Sequence, residues 1–261
     1  MTRILTIRHE FGPLRGRYDA RMREFLRRRF SREEVVGLSF TLSFLTCAAL
    51  AVALGLLAHE IREDKGLPQP VDTSIRNAIV AERSPERTRE MRAVTFVGDQ
   101  RFFLFAMPVV SAGLWAGRRH VSALLFAGSV LGGFGLSSVL KIALARARPE
   151  QWAALVKETT YSFPSGHTTM ATVFFGGLAA IVFHLTKKPV PRIAAALAAA
   201  AIVVAVATSR VYLGAHWATD TFAGMLTGLV WVVVFSTTTE TMEKAKALKK
   251  AKEAKSQGGA R

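Results

Sequence analysis

The chain carries a single cysteine, Cys47, in 261 residues. Without a second thiol there is no intramolecular disulfide. Cys47 lies inside an apolar run, so it reads as a small buried hydrophobe and says nothing of redox compartment. Acids are also scarce: 19 Asp and Glu stand against 35 Lys and Arg, a formal net charge of +16. A balance this positive points to nucleic acid or to an anionic membrane surface. The sequence has no RNA- or DNA-binding motif and no interleaving of basic with aromatic residues, so no nucleic-acid partner is expected. Nor is there an internal repeat of the kind that builds a transporter's inverted halves.

What the chain does have is hydrophobic length. Half of its residues are hydrophobic although 21% are charged, a combination that fits charges in loops and apolar residues in membrane spans. Residues 35–58 run for 24 positions without a charge, enough to cross a hydrocarbon core of about 30 Å as a helix. Five further apolar segments follow, at 102–117, 121–140, 168–186, 193–209 and 221–239. The first of these is short and is expected to borrow 94–101 to complete its span; snorkelling and local thinning accommodate the others. The expected fold class is therefore all-α, a polytopic membrane protein of six transmembrane helices.

Three parts are expected. Residues 1–34 are polar and arginine-rich, with Tyr18, Met22 and Phe25 on one helical face ahead of Arg27, Arg28 and Arg29. They read as a basic amphipathic helix lying on the membrane surface; no short apolar core with a cleavage site follows, so a signal peptide is not expected. Residues 35–239 form the six-span domain, and 240–261 a lysine- and alanine-rich helical tail. Both basic ends suit an anionic membrane surface. Between spans one and two lies a polar segment, 59–101, punctuated by Pro68, Pro70 and Pro85; within it, 71–82 fits a short amphipathic helix resting on the interface.

Charge sets the expected orientation. Of the 35 Lys and Arg, 22 fall in segments that share a side with the N-terminus and 13 on the other. The positive-inside rule then places both termini in the cytoplasm, and the loops 141–167 and 210–220 outside. A multi-pass plasma membrane protein whose site faces the exterior or periplasm is expected.

Those two loops hold the residues that can do chemistry. Lys141, Arg148 and Arg210 are three cations converging on one membrane face. A cation set beside a low-dielectric surface wants an anion, and the arginine fork suits phosphate. Pro164-Ser165-Gly166-His167 opens a span, where free backbone N–H groups and the helix dipole favour the same anion. Gly166 allows close approach, and His167 is an imidazole free to act as an acid. His216 and Asp220 are four apart and share a helix face, so a carboxylate can hold one ring nitrogen and leave the other poised to attack.

Each feature has a plainer reading. Lys141, Arg148 and Arg210 alone would be snorkelling residues at span ends. Pro-Ser-Gly alone is a turn into a helix. His216 with Asp220 alone could be a structural hydrogen bond. His184, near the inner end of the fourth span, reads as structural; Tyr212 and Trp217 read as interfacial aromatics; the pairs Gly132-Gly133 and Gly176-Gly177 read as helix-packing positions. The chemical reading rests on the set taken together. Two histidines and an aspartate could ligate zinc, but three cations repel a divalent ion and no acidic cluster offsets them, so no metal and no cofactor are expected.

The pattern Lys-x6-Arg-Pro, Pro-Ser-Gly-His, Ser-Arg-x5-His-x3-Asp is filled at Lys141, Arg148, Pro149, Pro164, Ser165, Gly166, His167, Ser209, Arg210, His216 and Asp220. In it the chain resembles the type 2 phosphatidic acid phosphatase superfamily over about residues 90–240. The resemblance implies a membrane hydrolase of lipid phosphomonoesters or polyprenyl diphosphates. His216 would attack phosphorus and form a phosphohistidine, Asp220 would orient it, and His167 would protonate the leaving oxygen. Lys141, Arg148, Arg210, Ser165 and the Gly166 amide would hold the phosphate. Undecaprenyl diphosphate, phosphatidylglycerol phosphate, phosphatidic acid and lipid A phosphates are the substrates the resemblance offers, and the motifs, which hold only phosphate, do not choose among them. A phosphotransferase passing phosphate to another lipid would carry the same pocket. A lipid transporter is disfavoured, since the charges gather at one interface and not at the bilayer midplane.

Overall fold

The computed structural model describes residues 37–63, 68–149 and 154–258, and among them it holds eight helices and no strand. These are α1 (Leu38–Glu63), α2 (Pro68–Ala81), α3 (Pro85–Phe96), α4 (Gln100–Ala116), α5 (His120–Leu144), α6 (Gly166–Leu185), α7 (Pro189–Tyr212) and α8 (Ala218–Gly258). Helices α1, α5, α6, α7 and α8 are each long and apolar enough to cross a membrane. Helices α3 and α4 make a sixth span if taken as one, bent by 43° at the break between them. The all-α, six-span expectation is thus met, and the stretch expected to lengthen the second span is that bend. It turns at Val97-Gly98-Asp99, where the Asp99 carboxylate accepts from the Arg101 N–H at 2.8 Å and caps α4. The basic helix expected within 1–34 lies outside the described residues.

Residues 46–240 form one compact unit, and the candidate site lies wholly inside it. Helix α6 is the innermost: ten of its residues, from Thr168 to Ile181, are buried. Phenylalanines from four helices interlock around it. Phe103 and Phe174 are 5.3 Å apart, Phe126 and Phe174 5.4 Å, and Phe126 and Phe235 6.1 Å, the last two edge to face. Large apolar side chains point away from this core along α1 (Val52, Leu56), α5 (Leu131, Val139) and α7 (Leu197), as lipid-facing surfaces must.

In a bilayer lipid tails are as apolar as leucine, so helices associate by close packing. Glycines set that packing here. A Cβ at Gly132 would come within 2.6 Å of the Trp231 ring, and one at Gly176 within 2.7 Å of Val232. The tightest seam joins α8 to the first half of α6. A Cβ at Gly228 would stand 2.5 Å from Thr172, and one at Gly224 2.8 Å from the Ser165 carbonyl oxygen. Asp220, one turn before Gly224, is thereby brought to the start of α6.

The polar segment between the first two spans is folded onto the same end. Ser84 caps α3, accepting from the Arg87 N–H at 3.2 Å, and Pro85 begins the helix. The Ser84 N–H donates to the Tyr212 hydroxyl at 3.1 Å, and Arg83 donates to the Tyr212 carbonyl at 2.9 and 2.6 Å. Tyr212, expected at the interface, is instead 5% exposed and pins α2 and α3 to the end of α7; its hydroxyl finds protein partners, so it has no need of water. Trp217 stays partly exposed, its indole N–H on the Ala147 carbonyl at 3.1 Å. His184 lies 3.3 Å from the Ser236 hydroxyl.

Replacing Gly224 with alanine presses a methyl onto backbone that cannot yield, costing about 1–3 kcal/mol. Thermal unfolding in detergent should show a clear drop in Tm for Gly224→Ala. Gly135→Ala, where a Cβ meets nothing within 4 Å, should unfold at or above the wild-type temperature.

Candidate active site

Four helix ends meet at one end of the bundle: the close of α5, the start of α6, the close of α7 and the start of α8. Helix α7 stops because Gly214 takes φ 72°, a left-handed conformation that glycine adopts without strain. The N–H groups of Ala215 and His216 then both turn back onto the Arg210 carbonyl, at 3.0 and 3.3 Å. This places Arg210, on the last turn of α7, near His216, in the tight turn before α8.

His216 is 3% exposed and Asp220 fully buried. The His216 Nδ1 lies 3.5 Å from Asp220 Oδ2, long for a hydrogen bond but within ion-pair reach. On the other side, His216 Nε2 is 3.3 Å from the Arg148 guanidinium. A guanidinium accepts no hydrogen bond, so Nε2 presents its lone pair there and the proton belongs on Nδ1, toward Asp220. Burial pushes the His216 imidazole down to about 3, against the pull of Asp220 in the other direction. It is therefore neutral near pH 7, the state in which a ring nitrogen can attack.

The three expected cations gather at this end of the bundle, with Arg148 against the ring nitrogen itself. Arg148 donates to the Ala215 carbonyl at 2.5 Å and to the Thr160 carbonyl at 2.6 Å. Lys141, on the last turn of α5, donates to the Tyr161 carbonyl at 2.6 Å. Arg210 is 2% exposed and donates to Thr95 Oγ1 at 3.0 Å; its buried Nε has no protein partner. The Ser165 hydroxyl caps α6, accepting from the Thr168 N–H at 3.5 Å, and the Ser165 N–H donates to the Asp220 carbonyl at 2.9 Å. A Cβ on Gly166 would meet Lys141 Cε at 3.8 Å and Ser137 Oγ at 3.9 Å, so this glycine faces the space that the lysine borders. His167 follows, its Nε2 3.7 Å from Asp99 Oδ2.

Four charged residues at this end were not singled out from the sequence. Glu158 pairs with Arg210 and lies 3.7 Å from the Arg148 guanidinium, a carboxylate set between two forks. Burial alone would raise the Glu158 carboxyl; the Arg210 and Arg148 charges outweigh it and hold the group below the usual carboxylate range. Asp99 faces His167. Arg146 donates to Asp220 Oδ1 at 2.5 Å and to Asp72 Oδ2 at 2.7 Å. Only Arg146 had a signal, its place two residues before Arg148 in the first motif. The acids came from loops and helices without a pattern.

This arrangement can hold an anion, offer it a neutral imidazole nitrogen, and supply a second imidazole with a carboxylate beside it. A cavity of about 770 Å³, bordered by Lys141, Arg148 and Glu158 and by Ile142 on the apolar side, adjoins the cations.

The chain is similar to known proteins. A family model described as the PAP2 superfamily matches residues 122–243. Phosphatidylglycerophosphatase B of Bacillus subtilis (strain 168) is 35% identical over 167 residues, 62% of this chain and 80% of that protein. A lipid A 1-phosphatase of Rhizobium etli is 33% identical over 41% of this chain and 46% of its own length. Among solved structures, a transmembrane PAP2 type phosphatidylglycerolphosphate phosphatase from Bacillus subtilis superposes with a TM-score of 0.66 at 30% identity, covering 73% of this chain and 94% of that one. LpxE of Aquifex aeolicus, at 20% identity and a TM-score of 0.50 over 62% of this chain and 93% of that one, shares the fold.

Two substitutions probe the anion site. Gly166→Ala has room in the protein, so its Tm should match wild type, while activity should fall by about tenfold or more as the methyl enters the space of a bound phosphate. Glu158→Gln removes the anion already between the arginines. Inhibition by inorganic phosphate at neutral pH, where Glu158 is ionised, should strengthen by about tenfold, and an unchanged inhibition constant would show that Glu158 does not compete.

Proposed function

The chain belongs to the PAP2 superfamily and is a phosphoric monoester hydrolase with multiple membrane helices, and on that premise we propose that it hydrolyses a lipid phosphomonoester or polyprenyl diphosphate through a phosphohistidine. The observation that carries this reading is the buried His216, with a carboxylate behind Nδ1 and a guanidinium beside Nε2.

His216 Nε2 attacks phosphorus in line with the lipid oxygen. The P–O bond breaks as the P–N bond forms, and the leaving oxygen takes a proton from His167. Asp220 balances the positive charge that His216 gains. Water then attacks the phosphohistidine, giving its proton to His167; the P–N bond breaks, and inorganic phosphate leaves. Arg148, Arg210, Lys141 and the first amides of α6, with Ser165 at its cap, hold the equatorial oxygens, whose charge grows in the transition state. The site reads as independent of metal, because Lys141, Arg148 and Arg210 supply the positive charge that a phosphate needs and repel a divalent ion.

A lipid headgroup reaches these cations through the cavity bordered by Ile142, which is 74% exposed on the apolar side of α5. Its tails stay in the bilayer. The relatives act on glycerolipid and lipid A phosphates by name, so phosphatidylglycerophosphate is the first substrate to test. Both termini are assigned to the cytoplasm and the site to the outer or periplasmic face, on the positive-inside count.

Purified in detergent with a chelator present, the protein should release phosphate from at least one of phosphatidylglycerophosphate, phosphatidic acid, undecaprenyl diphosphate and a lipid A phosphate. His216→Ala should lose at least about a thousandfold in turnover. Wild-type turnover in His216→Ala, or activity that chelator abolishes and a divalent metal restores, would sink the mechanism. Transfer to an added acceptor lipid in place of release would assign a phosphotransferase.

A further inference from the structure

We infer that Asp72, acting through Arg146, is a positioning residue for the His216–Asp220 pair; the inference rests on the roles proposed above for those two residues. Asp72 is fully buried and lies on α2, in the segment between the first two spans, far in sequence from the three motifs. Its carboxylate is fully engaged. Oδ1 accepts from the Thr219 N–H at 2.8 Å, on the first turn of α8. Oδ2 accepts from the Thr219 hydroxyl at 2.6 Å and from Arg146 at 2.7 Å. Asp72 therefore caps the helix that carries Asp220 and also holds one arm of the arginine that bonds Asp220.

The geometry of that arginine is what matters to the chemistry. A guanidinium beside a lone carboxylate closes on both oxygens as a fork. Here one arm is held by Asp72, and the other donates to the Thr219 hydroxyl at 2.8 Å and, of the two Asp220 oxygens, to Oδ1 at 2.5 Å. Asp220 Oδ2 is left for the Trp217 N–H at 2.9 Å, for the Ser162 hydroxyl, and for the face turned to His216 Nδ1. Without Asp72, Arg146 keeps only the Thr219 hydroxyl beside Asp220, and its released arm can close on the second carboxylate oxygen and draw the group from the imidazole. The charge count moves the same way. Asp72, Arg146 and Asp220 together carry one net negative charge, the complement of a His216 that becomes cationic on phosphorylation. Arg146 and Asp220 alone carry none.

Asp72→Asn keeps the shape and an acceptor for the Thr219 N–H while giving up the anion that holds Arg146. With phosphatidylglycerophosphate in detergent, kcat should fall about thirtyfold, while KM and inhibition by inorganic phosphate stay within about twofold, because Arg148, Arg210 and Lys141 are untouched. A collapsed site would instead weaken phosphate inhibition along with turnover, and that pattern would overturn the inference. So would Asp72→Asn turnover within about twofold of wild type. Arg146→Lys keeps the charge but replaces two separated guanidinium nitrogens, one on each carboxylate, with a single ammonium that cannot hold Asp72 and Asp220 at that spread. It should show the same loss of kcat at constant KM, and in its background Asp72→Asn should cost less than about twofold more. Full additivity of the two losses would overturn the inference. If Asp72→Asn does not fold, Arg146→Lys decides: wild-type kcat overturns it, and a fall in kcat at constant KM and constant phosphate inhibition supports it. His216→Ala runs in parallel. Full activity there would strike the mechanism itself, an outcome distinct from failure of the Asp72 variant alone.

Discussion

A guanidinium taken out of water has to be matched by an anion or a set of acceptors, and the end of this bundle is organised around that requirement. Arg210 is buried against Glu158, and Arg146 lies between Asp72 and Asp220. Arg148 is matched by carbonyl oxygens as well as by Glu158. The matching is uneven by position. Arg146 has two close, enclosed carboxylates and is locked. Arg148 and Arg210 share one carboxylate, itself partly exposed, and Arg210 keeps an unpartnered buried Nε. The first arrangement suits a strut. The second suits a place where a stronger anion can enter.

Backbone contact gives that charge arrangement its precision. Helix α8 touches α6 where Gly224 and Gly228 remove the side chains that would hold the two apart. The same seam fixes how far Asp220 stands from Ser165 and His167. Across the bundle the phenylalanine cluster fills the space between α4, α5, α6 and α8, so the helix ends rest on a packed interior. Segment α2–α3 is joined to this frame through Tyr212 and then contributes Asp72. A connection that looks like a surface linker in hydropathy is thus part of the site's support.

The spans could be read from charge-free runs, and most residues of the candidate site from three motifs, because both signals are local: a helix long enough for a bilayer, and polar residue types at set spacings. Lys141, Arg148, His216 and Asp220 gather where the span count required, at one end. What sequence could not show are pairings between segments with no shared period. Asp72 is one acid in an amphipathic stretch, and nothing in its neighbours indicates that it turns inward. Glu158 lies in a loop, where no periodicity assigns a face. Arg146 was visible within its motif, but only the path of the chain after α5 reveals that two arginines, two positions apart, serve different partners. Tyr212 was misread for a related reason, since an aromatic at a span end is the same letter whether it meets headgroups or another helix.

The Ser165 N–H on the Asp220 carbonyl joins the first turns of α6 and α8 directly. Two helices that meet start to start bring the positive ends of two macrodipoles to one point. Such a junction is electrostatically loaded: like ends repel, Asp72 and Asp220 offset the end of α8, and the potential left at the start of α6 adds to that of the nearby arginines. An anion seated there relieves the load of the backbone as well as that of the side chains. Occupancy and fold stability are then linked quantities, and a ligand bound at this junction raises the free energy of unfolding in proportion to the logarithm of its concentration over its dissociation constant.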